Sequence, residues 1–346
     1  MKIKLKYIIT LCVILCCINV SINIKLKRKE FIKTDNFRNI YENPIILEFK
    51  KLISKNNDLS RTVNVALTNA SWARTSENNY YPLYLNANGI ETVDGYFALY
   101  SYRYQQFWNQ VIKPIREKIP EIDLMWKSKP IHLYLFVTPE MQHELIEISV
   151  SEFYDYELLS LANVKYFISL KQLSHPNLKQ ILEPEQVKHQ LWRSKTKIQK
   201  IYSLFTGNFP NKKIYIYENL QVLNRFYFAT GAKAYADNWT LMEGLSQASI
   251  GDLTNSIYIT GNQSNPPIDN HYSISILSIK PDKISLDIQT ENNGYLVITN
   301  NYSKFWKCQV DGIELKIIPV YLTFQGIQLK TGKHSVQLEY NPWWSF

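Results

Sequence analysis

The stretch GYLVITNNYSKFWKCQVDGIELKIIPVYLTFQGIQLKTGKHSVQLEYNP, residues 294–342, decides the fold of this chain. Apolar and polar residues alternate in its short runs, and this period of two is typical of strands with one buried face. The dipeptides Asp311-Gly312 and Thr331-Gly332 separate the runs, and Asp-Gly is a strong signal of a tight turn. The stretch therefore predicts antiparallel β-structure. Similar runs just upstream extend it to a β-sandwich of about seven strands.

The chain divides into four predicted segments: a membrane anchor at 1–30, a polar linker at 31–60, a mixed α/β domain at 61–268 and the β-sandwich domain at 269–346. In the third segment, strand-like runs such as HLYLFV at 132–137 alternate with the helical spacing of Phe107, Val111 and Ile115. The predicted fold class is α+β, with an N-terminal transmembrane helix, a mixed α/β domain and a jelly-roll-like antiparallel sandwich.

The predicted anchor is an uncharged run, YIITLCVILCCINVSINI at 7–24. As a helix it measures about 27 Å, enough to cross a thin bilayer core once. Its length, and the basic residues that follow it directly, favour an uncleaved anchor over a cleaved signal peptide. Basic residues also precede it, so charge alone does not choose an orientation.

Several classes of function lack support in the sequence. The net charge is +9, but the basic residues are scattered, and the densest run, Lys188–Lys200, is expected to be a solvated face, so no nucleic-acid partner is predicted. The six histidines show no metal-binding spacing, and no phosphate-binding loop, nucleophile elbow or dinucleotide fingerprint is present. No catalytic residue, metal or cofactor is therefore predicted. His334, after a Gly-Lys turn, is expected at the rim of a hairpin.

Two short segments combine charged, amide and aromatic side chains. Glu218 and Asn219 end a predicted strand, and an ion pair between Glu218 and Arg225 across the following turn would lie beside a pocket. A turn at Asp94 leads into a helix, where Arg103 could contact a phosphate. Both segments can also be purely structural. The candidate ligand-binding residues are Asp94, Tyr96, Arg103, Glu218, Asn219 and Arg225.

Four blocks carry a resemblance to a known family: DGYFALYSYRY at 94–104, LANVKYFIS at 161–169, YIYENLQVLNRFYF at 215–228 and the stretch at 294–342. In order and spacing they resemble the extracytoplasmic half of YfhO-type bacterial membrane proteins. The resemblance implies similarity to type-C glycosyltransferases, which are multi-spanning and use a lipid-phosphate-linked sugar as donor. In that class, catalysis depends on acidic residues in loops near the membrane.

The sequence departs from the family by lacking the polytopic half that would carry the catalytic carboxylate. We therefore expect a single-pass membrane protein, extracytoplasmic in bulk and non-catalytic alone. It would support cell-envelope glycosylation by contacting membrane lipid, a lipid-linked sugar or glycan, or a polytopic membrane protein. Two alternatives stay open: a divergent glycosyltransferase that uses Asp94 or Glu218, and a scaffolding subunit of a polytopic protein.

Overall fold

A computed structural model describes most of the chain between the predicted anchor and the C-terminus. The described residues are 13–20, 43–55, 59–67, 82–96, 100–128, 132–138, 141, 145–182, 214–262, 264–269 and 271–342. Residues 13–20 are helical, and the rest of the predicted anchor lies outside the described residues. Within the described residues, no helix has the length and apolarity needed to span a membrane. The transmembrane helix therefore stays a prediction.

The helices and strands of the N-terminal part interleave along the chain. The helices are α1 (Pro44–Lys55), α2 (Pro82–Ala87), α3 (Tyr102–Val111), α4 (Lys113–Lys118), α5 (Pro120–Ser128), α6 (Val150–Phe153), α7 (Tyr156–Leu161), α8 (Asn238–Ser246) and α9 (Ile250–Asn255). The strands are β1 (Arg61–Leu67), β2 (Gly95–Tyr96), β3 (His132–Leu133), β4 (Leu135–Val137), β5 (Glu147–Ser149), β6 (Val164–Ser169), β7 (Gln172–Ser174), β8 (Leu178–Leu182), β9 (Tyr215–Asn219), β10 (Phe226–Ala229), β11 (Gly231–Tyr235) and β12 (Ser256–Thr260).

A five-stranded mixed sheet in the order β4-β1-β6-β9-β8 organises this part. Strand β1 runs parallel to β4 and β6, whereas β9 runs antiparallel to β6 and β8. Side chains alternate across a strand, so the two faces of β6 pack into different hydrophobic cores. Phe167 packs in the cluster that contains α3 and α7, whereas Tyr166 and Ile168 pack in the cluster that contains α1 and α2. Phe49 of α1 packs edge-on against Tyr166 at 5.0 Å. The sheet is thus covered by helices on both faces.

Helix α3 shows why the sequence folds as predicted in this region. Its residues Tyr104, Phe107, Trp108 and Val111 are buried, and their spacing places them on one helical face. The hydroxyl of Ser101 caps the first turn by accepting from the Tyr104 amide. After a one-residue break, α4 begins with a proline in its first turn, where a missing N–H costs little.

The C-terminal part is an antiparallel sandwich, as the sequence predicts. Its strands are β13 (Tyr272–Ile279), β14 (Lys283–Thr290), β15 (Gly294–Ile298), β16 (Trp306–Val310), β17 (Ile313–Leu315), β18 (Ile318–Val320), β19 (Phe324–Leu329) and β20 (Gly332–Tyr340). A five-stranded sheet, β13-β14-β20-β16-β17, faces a four-stranded sheet, β10-β15-β19-β18. Their shared core includes Leu286, Leu296 and Leu338, each fully buried. Each such side chain contributes about 1.5–3 kcal/mol.

The four-stranded sheet joins the two parts of the chain. Its strand β10 comes from the segment that the sequence assigns to the α/β domain, and it pairs antiparallel with β15. Alternate residues of these strands serve different cores: Leu296 faces the sandwich, while Val297 packs in the cluster that contains α3 and α7. The sandwich and the α/β part therefore share a packed interface.

Candidate ligand-binding site at the domain junction

A cleft of about 590 Å³ opens where the two parts of the chain meet. The α/β part contributes Arg61, Glu91 and Tyr104, and the sandwich contributes residues such as Lys280 and Trp306. The size is within the range of about 300–1,000 Å³ that is usual for small-molecule sites. We call it the junction cleft.

Arg61 lies at the start of β1 and is nearly buried. Its Nε donates to Oε1 of Glu91 at 2.7 Å, and its Nη2 donates to Oδ1 of Asn300 at 2.8 Å. Its Nη1 donates to the carbonyl oxygen of Thr299. These bonds use most of the guanidinium donors, so Arg61 holds the sandwich against the α/β part.

Arg225 approaches the same two acceptors from the turn before β10. Its Nη1 donates to Oε2 of Glu91 at 2.7 Å, while Nε and Nη2 donate to Oδ1 of Asn300 at 3.2 and 2.9 Å. Each oxygen of the Glu91 carboxylate thus faces one guanidinium. Bonds between charged groups in this geometry are stronger than neutral ones.

The charges of this cluster do not cancel. Partial burial raises the pKa of Glu91, but Arg61 and Arg225 outweigh that effect and hold the pKa below its ordinary value. Burial and the neighbouring Arg61 lower the pKa of Arg225, yet a guanidinium stays protonated at any physiological pH. Two cations share one anion, so the cleft carries excess positive charge. Glu91 is therefore suited to holding the arginines and not to accepting a proton.

Lys280, at the tip between β13 and β14, adds to this charge. It is exposed and lines the cleft, and its ammonium makes no ion pair with any residue that the structure describes. Half-buried Trp306 also lines the cleft and leans on Tyr340, with ring centroids 5.3 Å apart. The described lining of the cleft thus combines three cations and one carboxylate with a partly exposed tryptophan.

Asp94 is fully buried behind the cleft rather than in it. Its Oδ2 accepts from the backbone N–H of Asn64 at 3.1 Å and from Nδ2 of Asn64 at 3.2 Å. Burial is the largest influence and raises the pKa of Asp94 to about 8, against the hydrogen bonds from Asn64, which lower it. At neutral pH the side chain is therefore largely protonated. The adjacent Val93 lines the cleft, and its carbonyl accepts from the hydroxyl of Tyr104.

The other candidates from the sequence occupy separate places. Glu218 lies on β9 and pairs with Lys165 at 3.5 Å, so the expected ion pair with Arg225 does not form. Asn219 is buried and donates to Ser160 and to the carbonyl of Val164, both at 2.9 Å. Such a satisfied amide has a structural role here.

Arg103 lies in the first turn of α3 and does not join the Arg225 cluster. Nη1 of Arg103 reaches the carbonyl of Leu322 at 3.5 Å, a weak contact. The backbone of Tyr96 pairs with His132 in a short antiparallel ladder. Arg225 lines the junction cleft, whereas Asp94, Arg103, Glu218 and Asn219 do not, and a ligand-binding role for these four and for Tyr96 stays a prediction.

Sequence reasoning missed Arg61, Glu91, Lys280 and Asn300. They come from four segments far apart in the chain, and no local motif links them. Their proximity follows from the packing of β1 against the turn after β15.

Comparison with known proteins supports the resemblance in the last of the four blocks, residues 294–342. Residues 268–345 match the family model of the bacterial membrane protein YfhO. The match covers the sandwich strands from β13 onward and contains Lys280, Asn300 and Trp306, whereas Arg61, Glu91 and Arg225 lie outside it. The predicted resemblance to YfhO is confirmed over these residues. No curated protein and no solved structure matches the chain.

Proposed function

We propose that this chain is a single-pass, extracytoplasmic YfhO-type protein that binds a lipid-phosphate-linked sugar in the junction cleft. By this binding it supports cell-envelope glycosylation and is not itself catalytic. A polytopic membrane protein and membrane lipid are its proposed partners. The observation that carries the proposal is the uncompensated charge of the cleft, whose described lining includes Arg61, Arg225 and Lys280 but only one carboxylate, that of Glu91.

The proposed ligand matches the cleft in three respects. A phosphate is attracted by the excess positive charge, and Lys280 is free to contact it directly. A sugar ring can pack one face on the indole of Trp306. Its hydroxyls can exchange hydrogen bonds with the exposed side chain of Asn301, which also lines the cleft.

A glycosyltransferase that uses Asp94 or Glu218 has less support. A general base must reach the proton that it removes, but Asp94 is fully buried and already bonded to Asn64. Glu218 pairs with Lys165 and does not line the junction cleft.

The test is a binding titration of the full-length chain in mild detergent. The probes are a polyprenyl-phosphate-linked hexose, the soluble hexose 1-phosphate and inorganic phosphate. We expect the first two to bind and inorganic phosphate to bind more weakly. Lys280→Glu should lower affinity about tenfold, equivalent to about 1.4 kcal/mol. Lys283→Glu is the matched control, because Lys283 is exposed nearby but does not line the cleft.

Equal losses in the two variants would show that binding follows net charge and not this site. Failure of both sugar phosphates to bind would overturn the proposal. In that case, co-purification with a polytopic protein would favour the scaffolding role.

A further inference from the structure

A second cleft, of about 350 Å³, lies between α3, α4, α5 and α8. It adjoins the other end of α3: Tyr104 lines the junction cleft, and Gln110, about 9 Å further along the helix axis, lines this one. We call it the α3–α8 cleft. Its lining includes an aromatic side chain, two amides and several charged groups, and the junction cleft shares none of these residues.

Trp239 forms the accessible wall of this cleft. It occupies the first turn of α8, where the capping box of Asp237 and Thr240 fixes the helix start. Helix α8 is held to α3 by a hydrogen bond of 3.3 Å from Nδ2 of Asn238 to Oε1 of Gln106. Yet 67% of Trp239 is exposed, although indoles are normally largely buried. An exposed indole on a helix start that is held in place, beside a cleft, is available to pack against a flat ligand.

The amide of Gln110 is a second feature of the cleft that points to a ligand. The residue as a whole has a relative exposure of 7%, and it lines the cleft. Its amide makes no hydrogen bond to any residue in the described part of the chain. Neither polar atom of this amide is among the fully buried unpartnered atoms, so both are reached through the cleft, where a bound hydroxyl that donates and accepts can take the place of water.

The opposite wall is held in place by its own bonds. Nε of Arg116 donates to Asp123 at 3.0 Å, and its Nη1 donates to Asn109. Asn109 in turn accepts from the indole N–H of Trp126 at 3.0 Å. A polar wall ordered in advance lowers the entropic cost of binding.

The charge of the cleft argues against a phosphorylated ligand. Lys113 and Arg116 are opposed by Glu117, Asp123 and Glu243, so the lining carries two positive and three negative charges. A phosphate would meet a net negative site. A neutral pyranose fits instead, because its C–H face can cover an indole and its hydroxyls can serve the amide and the carboxylates.

We propose that the α3–α8 cleft binds a neutral saccharide, with its ring on Trp239 and a hydroxyl bonded to Gln110. This site is independent of the junction cleft. The two sites differ in ligand charge, so each can be tested without the other.

Calorimetric titration of the full-length chain in mild detergent with maltotriose, cellotriose and chitotriose tests the proposal. We expect at least one trisaccharide to bind, with a millimolar or tighter Kd. Trp239→Ala should weaken that binding about tenfold and Gln110→Leu about fivefold. Tyr102→Ala is the matched control, because Tyr102 is an aromatic residue with 69% exposure that lines neither cleft. It should change the affinity less than about twofold.

Cross-titrations separate this site from the junction cleft. Trp239→Ala should leave hexose 1-phosphate binding unchanged, and Lys280→Glu should leave trisaccharide binding unchanged. The proposal is overturned if no trisaccharide binds at concentrations up to about 10 mM, or if Trp239→Ala binds as well as the wild type. Either result can occur whether or not the junction cleft binds sugar phosphates.

Discussion

Arg225 donates to the carboxylate of Glu91 at 2.7 Å, and not to Glu218, which precedes it by seven residues. Glu91 also accepts from Arg61 at 2.7 Å, so one carboxylate holds two guanidiniums from different segments. Both arginines reach Asn300 in the sandwich. This arrangement joins the two parts of the chain and sets the charge of the junction cleft.

Replacing Glu91 with Gln should change the stability of the protein and its affinity for a sugar phosphate in opposite directions. The two guanidiniums lose their shared anion, so the free energy of unfolding should fall by about 1–3 kcal/mol. The half-exposed position of Glu91 keeps the loss below that of a fully buried pair. The affinity for hexose 1-phosphate should rise, because the cleft becomes more positive. Urea denaturation and a binding titration measure the two effects.

Glu218→Gln is the control for that variant, because its pairing with Lys165 is longer and away from the junction. It should lower stability by less than about 1 kcal/mol and leave binding unchanged. If Glu91→Gln were as stable as the wild type, the cluster would not hold the two parts together.

Asp94 should make stability depend on pH. Its pKa is raised to about 8 in the folded chain, against an ordinary value of about 4. Between these values the folded state binds the proton and the unfolded state does not, so the free energy of unfolding should fall as pH rises from about 4 to about 8. Asp94→Asn should remove this slope, on the order of a few kcal/mol across the window.

Denaturation curves of wild type and Asp94→Asn across this pH range give the comparison. Burial also raises the pKa of Asp155, to about 7, and its part of the slope should remain in the variant. Identical slopes in the two proteins would mean that Asp94 is ionised in the folded chain.

We expect Gly312 to contribute to stability only through its backbone conformation. It follows Asp311 in the two-residue turn between β16 and β17, with φ values of 54° at Asp311 and 81° at Gly312. A methyl group at Gly312 would meet no atom within 4 Å. Gly312→Ala should therefore cost only the strain of a left-handed conformation, about 1–2 kcal/mol, in thermal or urea unfolding.

Gly251→Ala is the matched control for Gly312→Ala. Gly251 lies in α9 with ordinary backbone angles, and a methyl group there would meet only Ser249 at 3.8 Å. We expect unchanged or slightly higher stability, because alanine favours helix. Equal effects at both glycines would contradict the assignment of strain to the turn.

Substitution of Gly294 should lower stability for a different reason, a steric clash. It opens β15, and a methyl group at this position would lie 2.5 Å from the carbonyl oxygen of Ala229 and 2.6 Å from the ring of Phe228. The carbonyl belongs to the neighbouring strand β10 and cannot move without disturbing the ladder. Gly294→Ala should lower stability by about 1–3 kcal/mol, more than Gly312→Ala. Urea denaturation of both variants, with Gly251→Ala as the neutral reference, shows which of the two substitutions lowers the free energy of unfolding more.

The two turn signals in residues 294–342 show what local sequence can predict and what it cannot. Asp311-Gly312 closes a hairpin between paired strands, and His334 lies at its rim, with Nδ1 2.7 Å from Asp311. Thr331-Gly332 instead connects β19 and β20, which belong to different sheets. Both are turns, but only the packing of the two sheets decides whether the flanking strands pair.

The sequence by itself determined the alternating strands, the amphipathic face of α3 and the Asp311-Gly312 turn, because period, capping and backbone preference act between residues close in the chain. Only the tertiary structure decided that β10 joins the sandwich and that Arg225 pairs with Glu91. An arginine can pair with any carboxylate within reach. Which one it meets depends on how β1, β10 and β15 pack, and those contacts span more than 200 residues of chain, from Arg61 to Asn300.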